Sequence, residues 1–275
     1  VLLPSLFLLV FFVIPNAFLL AASFLKSDAQ VLTDEFSLEA YGFLFTRPLY
    51  QRAIVRTFVV GASVGLLVVV LSYPLALFLA RTTSRWKGLL MGLSLAPLLA
   101  SVIVRTYGWW VVLNREGVLN NSLLSLGLID QPLQLLPSVA AIVIGLAHAL
   151  LPYGVLTIIA SLNGLDPGLE RAAMSLGATR TRTFLAVTLP LTLPGIAGGF
   201  LLAFAIAISA YATPAILGGP ATEVMATLIR TFMLVQLDWA LGSAMAAVLL
   251  GCSIVLLVLT SLAGQNRGQN GGRPA

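Results

Sequence analysis

Asp166-Pro-Gly-Leu-Glu-Arg-Ala-Ala-Met-Ser-Leu-Gly-Ala-Thr-Arg-Thr-Arg-Thr-Phe184 is a charged island between two long stretches that carry no charge. Gln131–Leu165 precedes it with 35 residues free of Asp, Glu, Lys and Arg, and Thr183–Thr222 follows with 40. Asp166 before Pro167 reads as a helix N-cap with proline at the first helical position. Leu169, Ala172, Ala173 and Leu176 share one helical face, and Gly177 offers a left-handed stop. Thr179 is placed to cap a second short helix that carries Phe184 and Val187 and ends at Leu189-Pro190. A helix–Gly–helix knob with its small residues outward suits a grip by another protein. On periodicity alone, a solvated pair of surface helices reads equally well.

Working outward, the solvent of the flanking stretches is lipid. The chain has 275 residues, 59% apolar and 9% charged, with a mean hydropathy of +1.02. So few charges cannot cover a water-soluble domain of this size, which excludes a soluble globule and a disordered chain. Cys252 stands alone, so no internal disulfide framework exists. Further charge-free runs are Val1–Leu25, Thr57–Ala80, Gly88–Val104 and Trp239–Asn266. About 20 helical residues cross the hydrocarbon of a bilayer. The expected fold is therefore all-α and integral to the membrane. Six transmembrane helices are predicted, at about 2–25, 57–80, 88–112, 137–162, 193–217 and 239–262. They form one domain over 1–265, with a loop at 163–190 and a tail at 266–275. The first run exceeds the apolar core of a signal peptide and reads as a span. In the third, Arg105 is expected to snorkel towards the headgroups, with the helix continuing to Trp109 and Trp110. Pro190 and Pro194 suggest an approach segment before the fifth. Gly117–Ile129 is too short to span and reads as interfacial. Gly61-Ala-Ser-Val-Gly65 and Gly195-Ile-Ala-Gly-Gly199 place small residues at helix-packing spacing.

Charge sets the expected orientation. The N-terminus, the 81–87 and 163–182 loops and the tail share one side, with eight Lys/Arg against two acids, net +6. The other side has seven against eight, net −1, and the two sum to the formal +5. The basic residues are denser in the short loops of the first side, so both termini are predicted cytoplasmic. A nucleic-acid partner is not needed to explain the basic pI.

Much chemistry is absent. One His (His148), one Cys and no carboxylate inside a proposed span leave metal sites and acid–base or nucleophilic catalysis without materials. No phosphate-binding Gly-rich loop with Lys-Ser/Thr occurs, so this chain is not expected to bind ATP itself. A proton-coupled carrier usually keeps an ionisable group at mid-membrane, where only His148 stands, and it reads as a packing residue.

Glu170-Arg-Ala-Ala-Met-Ser-Leu-Gly-Ala-Thr-Arg-Thr-Arg-Thr-Phe-Leu-Ala-Val-Thr-Leu-Pro190 resembles the EAA loop of permease subunits in binding-protein-dependent ABC importers. Counted back from Gly177, the triplet falls on Arg171-Ala172-Ala173, the aliphatic on Val187, and Leu-Pro on Leu189-Pro190. The triplet's Glu is Arg171 here, with Glu170 one position earlier, about 100° round the helix. The contact made through that carboxylate falls either to Glu170 or to an adapted partner. Tyr73-Pro-Leu-Ala76, Arg105-Thr-Tyr-Gly-Trp109, Leu151-Pro-Tyr-Gly154, Leu189-Pro-Leu-Thr-Leu-Pro-Gly195 and Ala212-Thr-Pro-Ala-Ile-Leu-Gly-Gly219 are similar to segments of the spermidine/putrescine-type permeases.

That resemblance implies a type I importer permease in the bacterial inner membrane. Its partners would be a second permease subunit completing a hetero-dimer, two ATPase subunits and a periplasmic solute-binding protein. The chain itself would carry no cofactor, ATP and Mg being held by the ATPase subunits. Glu170, Arg171, Ala172, Ala173 and Gly177 are the residues expected in the ATPase-coupling loop. The implied solute is a polyamine; an opine, amino-acid derivative, thiamine, inorganic anion or ferric iron are the alternatives, and a secondary carrier is the alternative class. A polyamine seeks carboxylates or aromatic faces. Tyr107, Trp109, Trp110 and Tyr211 are the aromatic candidates for the pathway, with Glu223 and Asp238 as an outer acidic rim. Interfacial anchoring is the preferred reading of the Trp residues.

Overall fold

The computed structural model of the chain describes residues 2–28 and 31–269. In chain order the elements are α1 (2–22), β1 (Leu25–Asp28), β2 (Val31–Phe36), α2 (Glu39–Thr46), α3 (Pro48–Arg81), α4 (Lys87–Leu99) and α5 (Val102–Leu113). There follow α6 (Val118–Ser125), α7 (Val139–Asn163), α8 (Pro167–Ser175), α9 (Arg180–Ser209), α10 (Ala212–Leu217), α11 (Met225–Gln236) and α12 (Trp239–Gln269). Four stretches are long and apolar enough to cross a membrane: Ser5–Ala22, Pro48–Arg81, Val139–Asn163 and Arg180–Ser209. Together with the broken α4–α5 pair and the 31-residue α12, this is consistent with the six expected spans. The tail predicted at 266–275 begins inside α12, and residues 270–275 lie outside the described residues.

The chain forms two compact units, residues 1–58 with 220–275, and residues 59–219. The first has a core of Leu44, Tyr50, Ala53, Met225, Leu228, Phe232, Leu241 and Met245. Its antiparallel β1–β2 hairpin, with Leu25 opposite Phe36 and Ser27 opposite Leu32, is a short addition to an otherwise helical fold. Phe24 stacks on Phe36 at 6.0 Å, and Thr33 donates to the Lys26 carbonyl, so local contacts close the hairpin. On α1, Phe7, Phe11, Phe12 and Phe18 are all at least 60% exposed, a surface that only lipid or another apolar partner tolerates.

In the second unit, glycines let helices approach closely. A Cβ on Gly199 of α9 would sit 2.7 Å from Thr157 Oγ1 and 3.2 Å from Gly154 Cα of α7. One on Gly65 of α3 would sit 2.8 Å from the Phe200 ring of α9. Both glycine pairs singled out in the sequence therefore lie at helix crossings, where van der Waals packing holds apolar helices together.

Two spans differ from expectation. The third, expected unbroken over 88–112, stops at Ala100–Ser101, and α4 meets Val102–Ser125 at 101°. The Arg105 guanidinium donates to the Pro97 carbonyl, satisfying one of the acceptors orphaned where α4 ends. The fifth, expected over 193–217, begins as a continuous helix at Arg180 and ends at Ser209, with α10 separate. Pro190 and Pro194 lie within it. A π turn, Phe184–Thr188, carries Leu189 N–H back to the Phe184 carbonyl, just where Pro190 deprives the preceding turn of a donor. The same pattern precedes Pro15, where Leu9–Val13 is π-helical and Ile14 N–H reaches the Leu9 carbonyl.

Candidate functional site

The loop at the end of α7 folds as its local signals require. Asp166 caps α8, its carboxylate accepting from Gly168 N–H at 2.8 Å, with Pro167 at the first position. Thr179 caps α9, accepting from Arg182 N–H at 3.3 Å. Gly177 stands at φ +89, with no heavy atom within 4 Å of where a Cβ would lie, so the backbone conformation alone asks for glycine there. Ala178 N–H returns to the Ala173 carbonyl and Gly177 N–H to the Met174 carbonyl, closing the C-terminus of α8.

No side chain of α8 is buried. Leu176 is 90% exposed, Leu169 47% and Met174 42%, and Arg171 and Ala172 are exposed beside them. A polar loop helix with its apolar residues in the open presents them to something else. Glu170 points the other way. Its Oε1 accepts from the Arg81 guanidinium at the end of α3, and from Thr188 Oγ1 of α9 at 2.6 Å. Arg81 and Thr188 were not found by sequence reasoning: neither lies in the triplet, and Arg81 is 89 residues from Glu170.

The aromatic candidates separate. Trp109 lines a groove of about 550 Å³ at the α4–α5 break, with Leu93, Pro97, Val104, Arg105 and His148. Its Nε1–H donates to His148 Nδ1 at 3.2 Å, ring edge to face with centroids 5.7 Å apart. His148 is thus a hydrogen-bonded partner, and it faces an opening. Tyr107 and Trp110 do not line this groove and are exposed, as is Tyr211, just before α10. Arg105 and His148 are the groove's polar members, which the composition marked only as a lone His and a snorkelling Arg. Glu223 and Asp238 belong to the other compact unit. There the Glu223 carbonyl accepts from Arg56 at 2.9 Å, and Asp238 caps α12 by accepting from Leu241 N–H at 3.1 Å. Asp238 also lines a cavity of about 90 Å³ with Lys26, Ser27, Ser37 and Glu39. Among the described residues, no three His, Cys, Asp or Glu side chains gather as a metal site.

Residues 3–267 match the family described as binding-protein-dependent transport system inner membrane component. The spermidine/putrescine transport system permease protein PotB of Escherichia coli (strain K12) is 34% identical over 238 residues, 86% of each chain. PotB of Haemophilus influenzae (strain ATCC 51907 / DSM 11121 / KW20 / Rd) is 31% identical over 253 residues, 91% of this chain and 87% of that one. Among solved structures, a bacterial ABC transporter involved in the import of the acidic polysaccharide alginate superposes with a TM-score of 0.79 at 18% identity, over 96% of this chain and 93% of the other. This chain, a multi-pass inner-membrane transport component and not an enzyme, belongs to the binding-protein-dependent transport system inner membrane component family.

Proposed function

We propose that this chain forms half of the translocation pathway of an ATP-driven importer for a polyamine such as spermidine or putrescine. A periplasmic binding protein delivers the solute, a second permease subunit completes a hetero-dimeric pathway, and two ATPase subunits hold and hydrolyse the ATP. Both termini lie in the cytoplasm, on the side of the 163–190 loop. Likeness to the PotB permeases over 86% of the chain carries the choice of solute. The exposed Leu169, Ala172 and Leu176 on a capped helix support the loop as the seat of an ATPase, since a short rigid helix passes on motion that a flexible loop would absorb.

A second reading, an anionic or zwitterionic solute, is favoured by one feature. The groove at the α4–α5 break offers Arg105 and His148 and no carboxylate, so it does not attract a polycation. Purified complex with its binding protein, screened for solute-stimulated ATP hydrolysis, separates the two. Spermidine or putrescine is expected to stimulate it, and stimulation by an opine or inorganic anion alone overturns the polyamine assignment. In the same complex, Ala172→Trp is expected to release the ATPase; ATPase that stays bound and stimulated overturns the docking role of the loop.

A further inference from the structure

One carboxylate ties helix α8 to two other helices of its unit. Glu170 Oε1 takes both the Arg81 guanidinium and the Thr188 hydroxyl, so a single oxygen joins α8 to the end of α3 and to the π turn of α9. The contacts continue into a ring. Thr192 Oγ1 donates to the Thr188 carbonyl at 2.9 Å, and Tyr73 of α3 shares a hydrogen bond of 3.0 Å with Thr192 Oγ1. The Tyr73 ring meets Phe184, the first residue of the π turn, edge to face at 5.8 Å. Beside the pair lie cavities of about 360 Å³ and 280 Å³, each lined by both Arg81 and Glu170. No side chain of α8 is fully buried, so apolar packing holds it only loosely and the polar link adds to that packing.

We infer that Glu170 is a positioning residue, a strut that carries movement of α8 into α3 and α9, and is not the carboxylate offered to the ATPase. An ion pair this open to water adds little stability. Its value is directional: attached to two helices at once, the carboxylate drags both when α8 is displaced, and the π turn is the irregular segment able to yield. The motif's acidic position being Arg171, which is exposed, the surface of α8 facing outward carries the opposite charge to the one tied inside. The inference rests on the docking reading of the loop.

The test is a charge cycle in the reconstituted importer, read as labelled spermidine taken up per ATP hydrolysed. Arg81→Gln and Glu170→Gln are each expected to lower that ratio about fivefold, and Arg81→Gln/Glu170→Gln together to lower it no further. The reversed pair, Arg81→Glu/Glu170→Arg, is expected to recover most of it. A merely structural loss would lower the amount of complex that assembles, not the solute taken up per ATP by what does assemble. Unchanged ratios in the single variants, or additive losses without recovery, overturn the strut; so does Glu170→Gln that sheds the ATPase, because the carboxylate would then face the partner. Should the reversed pair fail to assemble, the near-isosteric Glu170→Gln and its non-additivity with Arg81→Gln decide alone. Failure of the docking reading shows elsewhere, as ATPase retained by Ala172→Trp.

Discussion

At position 177 the backbone, and not the surroundings, chooses the residue. The φ of +89 costs an L-residue roughly 1–2 kcal/mol, while the space around it is empty. Gly177→Val is therefore expected to destabilise the end of α8 by about that much, whereas Gly177→Asn is expected to cost less, since Asn tolerates this conformation. Amide hydrogen exchange across 167–178 checks it: equal loss of protection in both variants would point to lost space instead of strain. Such local devices were legible in the sequence. Asp166, Thr179 and Gly177 each act on backbone within about four residues, so the order of residue types suffices. The direction of Glu170 was not legible, because it depends on Arg81, which only the folded bundle brings near. Leu237 is a case with no sequence signal at all: it stands at φ +57, a non-glycine in the left-handed region, where the π turn of α11 ends.

At the scale of elements, the two faces of one helix separate contact from composition. Gly198 and Gly199 are neighbours on α9, yet a Cβ on Gly198 meets nothing within 4 Å and one on Gly199 meets Thr157 and Gly154. Gly199→Leu is expected to cost about 1–3 kcal/mol by overpacking. Gly198→Leu is expected to stay within about 0.5 kcal/mol. Thermal unfolding of the chain in detergent compares them; a Gly198 loss as large as that of Gly199 would contradict the crossing. Charge-free runs of about 20 residues located the apolar helices because lipid imposes that length. They did not reveal the break at Ala100–Ser101, where no Gly or Pro marks the stop and the compensating donor, Arg105, comes from the next helix. Nor did they reveal that α9 passes through Pro190, since proline predicts an interruption and the π turn absorbs it.

For the whole molecule, composition decided the solvent and the loop spacing pointed to the family, and the match over 3–267 agrees with both. The pathway was the least legible part. Of the four aromatic candidates only Trp109 lines the groove; Arg105 shares its helix and motif, while His148 comes from another helix and belongs to no motif. The residues that meet a solute are set by which helix faces converge, and apolar periodicity is weak when a helix is apolar all round. On the proposed function, uptake by a complex containing this chain is expected to need ATP and a loaded binding protein, and no ion gradient. The direct measurement is uptake of labelled spermidine into proteoliposomes holding the complete complex, with ATP supplied on the ATPase side. Uptake that requires both ATP and the binding protein, and survives collapse of proton and sodium gradients by ionophores, is the predicted result. Uptake that proceeds without ATP and stops with the gradients would contradict it.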